Sequence, residues 1–63
     1  MINEVQARAM MKVVRDNKDN SKAESILHEF ITARNEGFVR RIAQRPAASR
    51  KLIKQYEAAL KAE

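Results

Sequence analysis

The sequence predicts an all-α fold, a small domain of three to four helices that self-associates. Three observations carry this. Apolar residues recur at helical spacing in each of four stretches. The chain holds one Gly and one Pro, and is rich in the helix formers Ala, Lys, Arg and Glu. No stretch alternates β-branched or aromatic residues with polar ones as a half-buried strand would. At 63 residues there is room for one domain, and a chain this short buries only about 60% of its unfolded surface. Small domains of this kind often add disulfides, a metal or a second subunit. The chain has no Cys and one His, which excludes disulfides and leaves no zinc ligand set. Self-association, as a homo-oligomer and most simply a dimer, or folding stiffened by a partner is the remaining route to extra stability.

The first helix is expected over 3–16. Asn3 can cap it, Gln6 three residues on completes a capping box, and Ile2 precedes the cap. Val5, Ala9, Met10, Val13 and Val14 share one broad face, which Ala7 and Met11 widen. Glu4, Arg8, Lys12 and Arg15 form the narrow polar stripe, with Glu4 and Arg8 in the favourable i,i+4 order. An arc that wide predicts cover from more than one side, and Val5, Met10, Met11 and Val14 are the candidate self-association residues. The alternative is that the methionines simply fill the monomer core, since Met suits both roles.

Residues 16–21 (DNKDNS) read as a turn, because Asp, Asn and Ser side chains bond their own backbone. The run is superficially like a calcium loop. Lys18 at a ligand position, no Gly at the sharp turn and Leu27 in place of a bidentate Glu argue against one.

The second helix is expected over 22–35, with Ser21 and Glu24 as its capping box. Ala23, Ile26, Leu27, Phe30, Ile31 and Ala33 line its apolar face. Glu24, Ser25, His28, Glu29, Thr32 and Glu36 line an acidic outer face. His28 stands there with no Cys, Asp or second His near it, which is more often incidental than a ligand site. Gly37 permits two readings: a left-handed cap that ends the helix, with Phe38 folding back onto Ala33, or an interior residue of one long helix. The long helix would set Arg34, Arg41 and Arg45 at the edge of the apolar face, so a break or bend is expected. A short third helix over 38–45 follows, ended by Pro46. A last helix is expected over 47–62, opened by Pro46 as its first residue or by Ser49. Leu52, Ile53, Tyr56, Ala59 and Leu60 make its apolar stripe. Arg50, Lys54, Glu57 and Lys61 make its outer line, with Glu57 and Lys61 spaced as a pair.

Charge is the clearest functional signal. Residues 1–36 carry six basic and six acidic side chains and sum to zero, whereas 37–63 carry seven basic groups against Glu57 and Glu63. The whole net charge of +5 therefore lies in the second part. From Gly37 to Lys54 there are six basic residues and no acid. Such asymmetry points to an anionic partner, although a solvated basic face that aids solubility is the plain alternative. Arg40, Arg41, Arg45, Arg50, Lys51 and Lys54 are the candidate contacts. Nucleic acid is the first expectation, DNA-binding or regulatory in kind. The second is a small inhibitor or adaptor that grips an acidic surface of a larger protein. A third reading is self-association through acidic second and basic third helices. Two features weaken sequence-specific or single-strand binding: the basic zone has no aromatic on its polar side for base stacking, and Pro46 would interrupt a helix-turn-helix recognition helix.

Catalysis is not expected. The two Asp lie beside Lys18 in a turn, no Cys is present, and nothing pairs a nucleophile with a base. One Gly cannot build a phosphate-cradling loop. No cofactor, metal or small-molecule substrate is implied. No apolar run approaches the ~20 residues that span a bilayer, and the N-terminus lacks the pattern of a signal peptide. The expectation is a cytoplasmic accessory protein with no membrane role.

Overall fold

Three helices account for most of the chain in this computed structural model, which describes residues 1–38 and 45–63. They are α1 (Glu4–Asp16), α2 (Ala23–Asn35) and α3 (Ala47–Lys61). Each packs against the other two. The radius of gyration is 10.8 Å, close to the ~10.6 Å that compact packing gives a chain of this length.

α1 starts as its sequence predicts. The Asn3 side chain accepts from the Gln6 amide at 2.8 Å, and the Asn3 amide donates to Gln6 Oε1 at 3.1 Å. The Gln6 carboxamide does a second job. It exchanges two hydrogen bonds with the Asn35 carboxamide on α2, each 2.9 Å, and Asn35 Nδ2 also donates to the Met1 carbonyl at 2.7 Å. The other end of α1 is tied to α3: Asn17 Nδ2 donates to Val13 O at 2.8 Å and to Gln55 Oε1 at 2.7 Å.

α2 departs from expectation at its start. Ser21 is not the cap. Lys22 occupies that position with no side-chain cap bond, and the Asn20 side chain instead accepts from the Lys22 amide at 3.0 Å. The Asn17–Asn20 turn, closed by the Asn20 amide donating to Asn17 O at 2.8 Å, draws the chain into this geometry before Ser21 is reached. The C-terminal end follows the first of the two readings. Gly37 is left-handed, with φ +86°. Its amide donates to Arg34 O at 3.0 Å, and the Phe38 amide donates to Ala33 O at 2.8 Å. This pair of bonds is a Schellman cap, and it ends the helix rather than bending it. The Phe38 backbone folds back as expected, but its side chain stays 66% exposed.

The helix expected over 38–45 is not found at either end: Phe38 is outside any helix and Arg45 lies in a bend. Its interior, 39–44, lies outside the described residues. Pro46 is the cap of α3 rather than its first helical residue, with ψ 149° still extended, and Ala47 begins the helix. Ser49 is inside it.

The core joins all three apolar stripes: Ala9, Met10 and Val13 from α1, Ala23, Leu27, Phe30 and Ile31 from α2, Leu52, Ile53 and Tyr56 from α3. Ile2, Val14, Ile26, Ala59 and Leu60 pack around it. Phe30 and Tyr56 meet edge to face, centroids 6.3 Å apart at 78°. Among the described residues no helix is long and apolar enough to cross a membrane.

Candidate anion-binding surface

The outward side of α3 carries the basic residues. Its exposed positions are Ala47, Ala48, Lys51, Lys54, Ala58, Lys61 and Ala62, which fall within one arc because the apolar stripe of Leu52, Ile53 and Tyr56 is turned to the core. No carboxylate lies on that arc. Lys51 and Lys54, three residues apart, border a shallow depression completed by Ala47, Arg50 and Gln55. A groove between α1 and α3, lined by Lys12, Asp16, Gln55, Ala58, Ala59 and Ala62, flanks the same arc.

The two acids that follow the start of α3 in sequence, Glu57 and Glu63, are engaged by other helices, while Asp16 of α1 borders the flanking groove. Glu57 Oε2 pairs with Arg34 Nη1 of α2 at 3.4 Å. Glu63 Oε1 accepts from Arg8 of α1, 3.1 Å to Nη2 and 3.2 Å to Nε. Arg8 also forms the anticipated Glu4 pair at 3.0 Å. The Glu57–Lys61 pair implied by spacing is not made, because Arg34 takes the carboxylate. Lys51, Lys54 and Lys61 have no ion pair among the described residues. Partly exposed pairs of this kind add little stability. Their effect here is on charge distribution, since arginines of the neutral N-terminal part cancel the two acids of the basic C-terminal part.

The six proposed contacts do not share one situation. Arg40 and Arg41 lie outside the described residues. Arg45 turns to the protein: its guanidinium carbon is 5.6 Å from the Phe30 ring centroid, and its Nε is buried with no hydrogen-bond partner among the described residues. A cation seated on an aromatic face is held by the ring quadrupole. Arg50 is half-buried, and its Nη1 donates to the Arg45 carbonyl at 2.8 Å. Lys51 and Lys54 project into solvent. Lys61, not among the six, belongs to their arc. Only the packing of α2 on α3 reveals this, since in sequence Lys61 looks paired with Glu57.

The four self-association candidates also part company. Met10 is in the core, 6% exposed, and Val14 packs around it. Val5 and Met11 are 38% and 47% exposed, but six residues place them about 120° apart around the axis, at opposite edges of the outer face. They do not form one patch.

Among the described residues one titratable group is clearly perturbed. Burial pushes the Tyr56 hydroxyl above its ordinary value of 10.0; Arg34 opposes this and Glu57 adds to it. Among the described residues no three His, Asp or Glu side chains stand together as a metal site. Compared with known proteins, the chain matches no family model, no curated protein and no solved structure.

Proposed function

We propose that this protein is a non-enzymatic nucleic-acid-binding protein that grips phosphates with the outer face of α3. One observation carries the reading: Lys51, Lys54 and Lys61 stand exposed on an arc without carboxylates, while Glu57 and Glu63 are occupied by Arg34 and Arg8. Clustered cations on one face displace counterions from a polyanion, and that release drives binding without base contacts. Alanines between the lysines let the helix come close to a backbone. The absence of an exposed aromatic on this arc favours a duplex over a single strand, which proteins grip by stacking.

The test is a salt titration of binding to duplex DNA and duplex RNA. Affinity should fall steeply with salt. Lys51→Ala plus Lys54→Ala should weaken binding to all sequences alike and reduce the log–log salt slope by about 2, one per lost phosphate contact. An unchanged slope refutes the assignment of these lysines. No binding to either duplex at low salt refutes the nucleic-acid reading and turns the search to an acidic protein surface.

A further inference from the structure

The outer face of α2 has the opposite sign. Glu24, Ser25, His28 and Glu29 are exposed there, and with Ser21, Thr32 and Ala33 they border a shallow open trough that no Lys or Arg lines. Glu24 and Glu29 form no ion pair among the described residues, unlike Glu4, Glu57 and Glu63. A protein of net charge +5 thus keeps two uncompensated carboxylates on one helix, about 140° apart around its axis, both lining this trough.

We infer that this trough is the docking site for the basic face of α3 of a second copy, with Lys51 and Lys54 of one copy set against Glu24 and Glu29 of the other. Charge selects the pairing. Two α2 faces repel each other, as do two α3 faces, so between these two helices α2 against α3 is the pairing that brings unlike charges together. Shape allows it. Besides Glu24, Glu29 and His28, the trough is lined by Ser21, Ser25, Thr32 and Ala33, and the α3 arc between its lysines is alanine, so small residues meet over much of the contact and the helices can pack at the usual ~8–10 Å spacing. Long side chains then reach across at the edges. The contact is weak and salt-sensitive, because exposed ion pairs hold it and the net charge opposes it. The contact does not depend on the nucleic-acid reading. One consequence does: if Lys51 and Lys54 also hold phosphates, a nucleic acid and a second copy compete for them.

Charge reversal tests the pairing, read by sedimentation equilibrium at low salt up to about 1 mM, where weak contacts register. The wild-type weight-average mass should rise above 7.2 kDa with concentration. Glu24→Lys plus Glu29→Lys, and separately Lys51→Glu plus Lys54→Glu, should each remain at monomer mass. A one-to-one mixture of the two variants should associate again. All four positions are exposed, so the fold is retained, and circular dichroism verifies it. A wild type that stays monomeric, a variant that associates like the wild type, or a mixture that does not associate overturns the proposal. Duplex binding by a monomeric wild type would overturn this contact alone, whereas loss of duplex binding would leave it standing.

Discussion

Replacing Gly37 with Ala isolates the backbone from everything else. The residue sits at φ +86°, and a Cβ built there meets no described atom within 4 Å. No clash with a described residue contributes, and what remains is the conformational penalty. An L-residue in the left-handed region costs about 1–2 kcal/mol. Ala also restricts the unfolded chain relative to Gly, which returns about 0.4–1 kcal/mol. The net loss should be about 1 kcal/mol. A domain of 63 residues has about 0.05–0.15 kcal/mol of stability per residue, roughly 3–9 kcal/mol in all, so the loss is a visible fraction. Thermal unfolding followed at 222 nm should show Tm lower by about 4–8 °C. A D-Ala at the same position, accessible by synthesis in so short a chain, should leave Tm unchanged or raise it. If L-Ala leaves Tm unchanged or raises it, α2 does not end in a left-handed residue, and the argument that Gly37 stops the helix is wrong.

Two further outcomes follow from the site. Arg45→Met keeps bulk over Phe30 but removes the cation, so stability should fall by about 0.5–1 kcal/mol while the salt slope of duplex binding changes little; a loss of about 1 in that slope would return Arg45 to the contact set. Tyr56 is the single tyrosine, so absorbance at 295 nm during alkaline titration reports it alone, and its midpoint should lie above 10.0. The folded state favours the neutral phenol, so this contribution is present below the unfolded pKa and is lost as pH rises through the folded one. Tyr56→Phe should therefore lose less stability above pH 10 than the wild type, and parallel losses would show that burial of the hydroxyl has no energetic effect.

The helices themselves were legible because their signals are local. The Asn3–Gln6 box, the apolar stripes of α2 and α3, and the stop at Gly37 each depend on residues a few positions apart. The failures are of two kinds. Ser21 lost its place as cap to a competing turn, in which Asn20 bonds the next backbone amide but one. Both offers satisfy local hydrogen-bonding rules, and the S-x-x-E spacing does not rank them. The site was legible as a region of charge but not as a set of contacts. That Arg45 faces Phe30, that Met10 enters the core while Met11 stays outside, and that Arg34 removes Glu57 from Lys61 all require the packing of one helix on another. Chain spacing carries no record of such long-range choices.

The double use of Gln6 has a consequence for how the molecule opens. One carboxamide closes the first turn of α1 and also joins Asn35 near the end of α2, which in turn holds the Met1 carbonyl. Fraying at the start of the chain and unwinding at the tail of α2 are thereby coupled. Neither segment can loosen without removing a partner from the other. Amide protons in these two places, far apart in sequence, then exchange with solvent through linked openings.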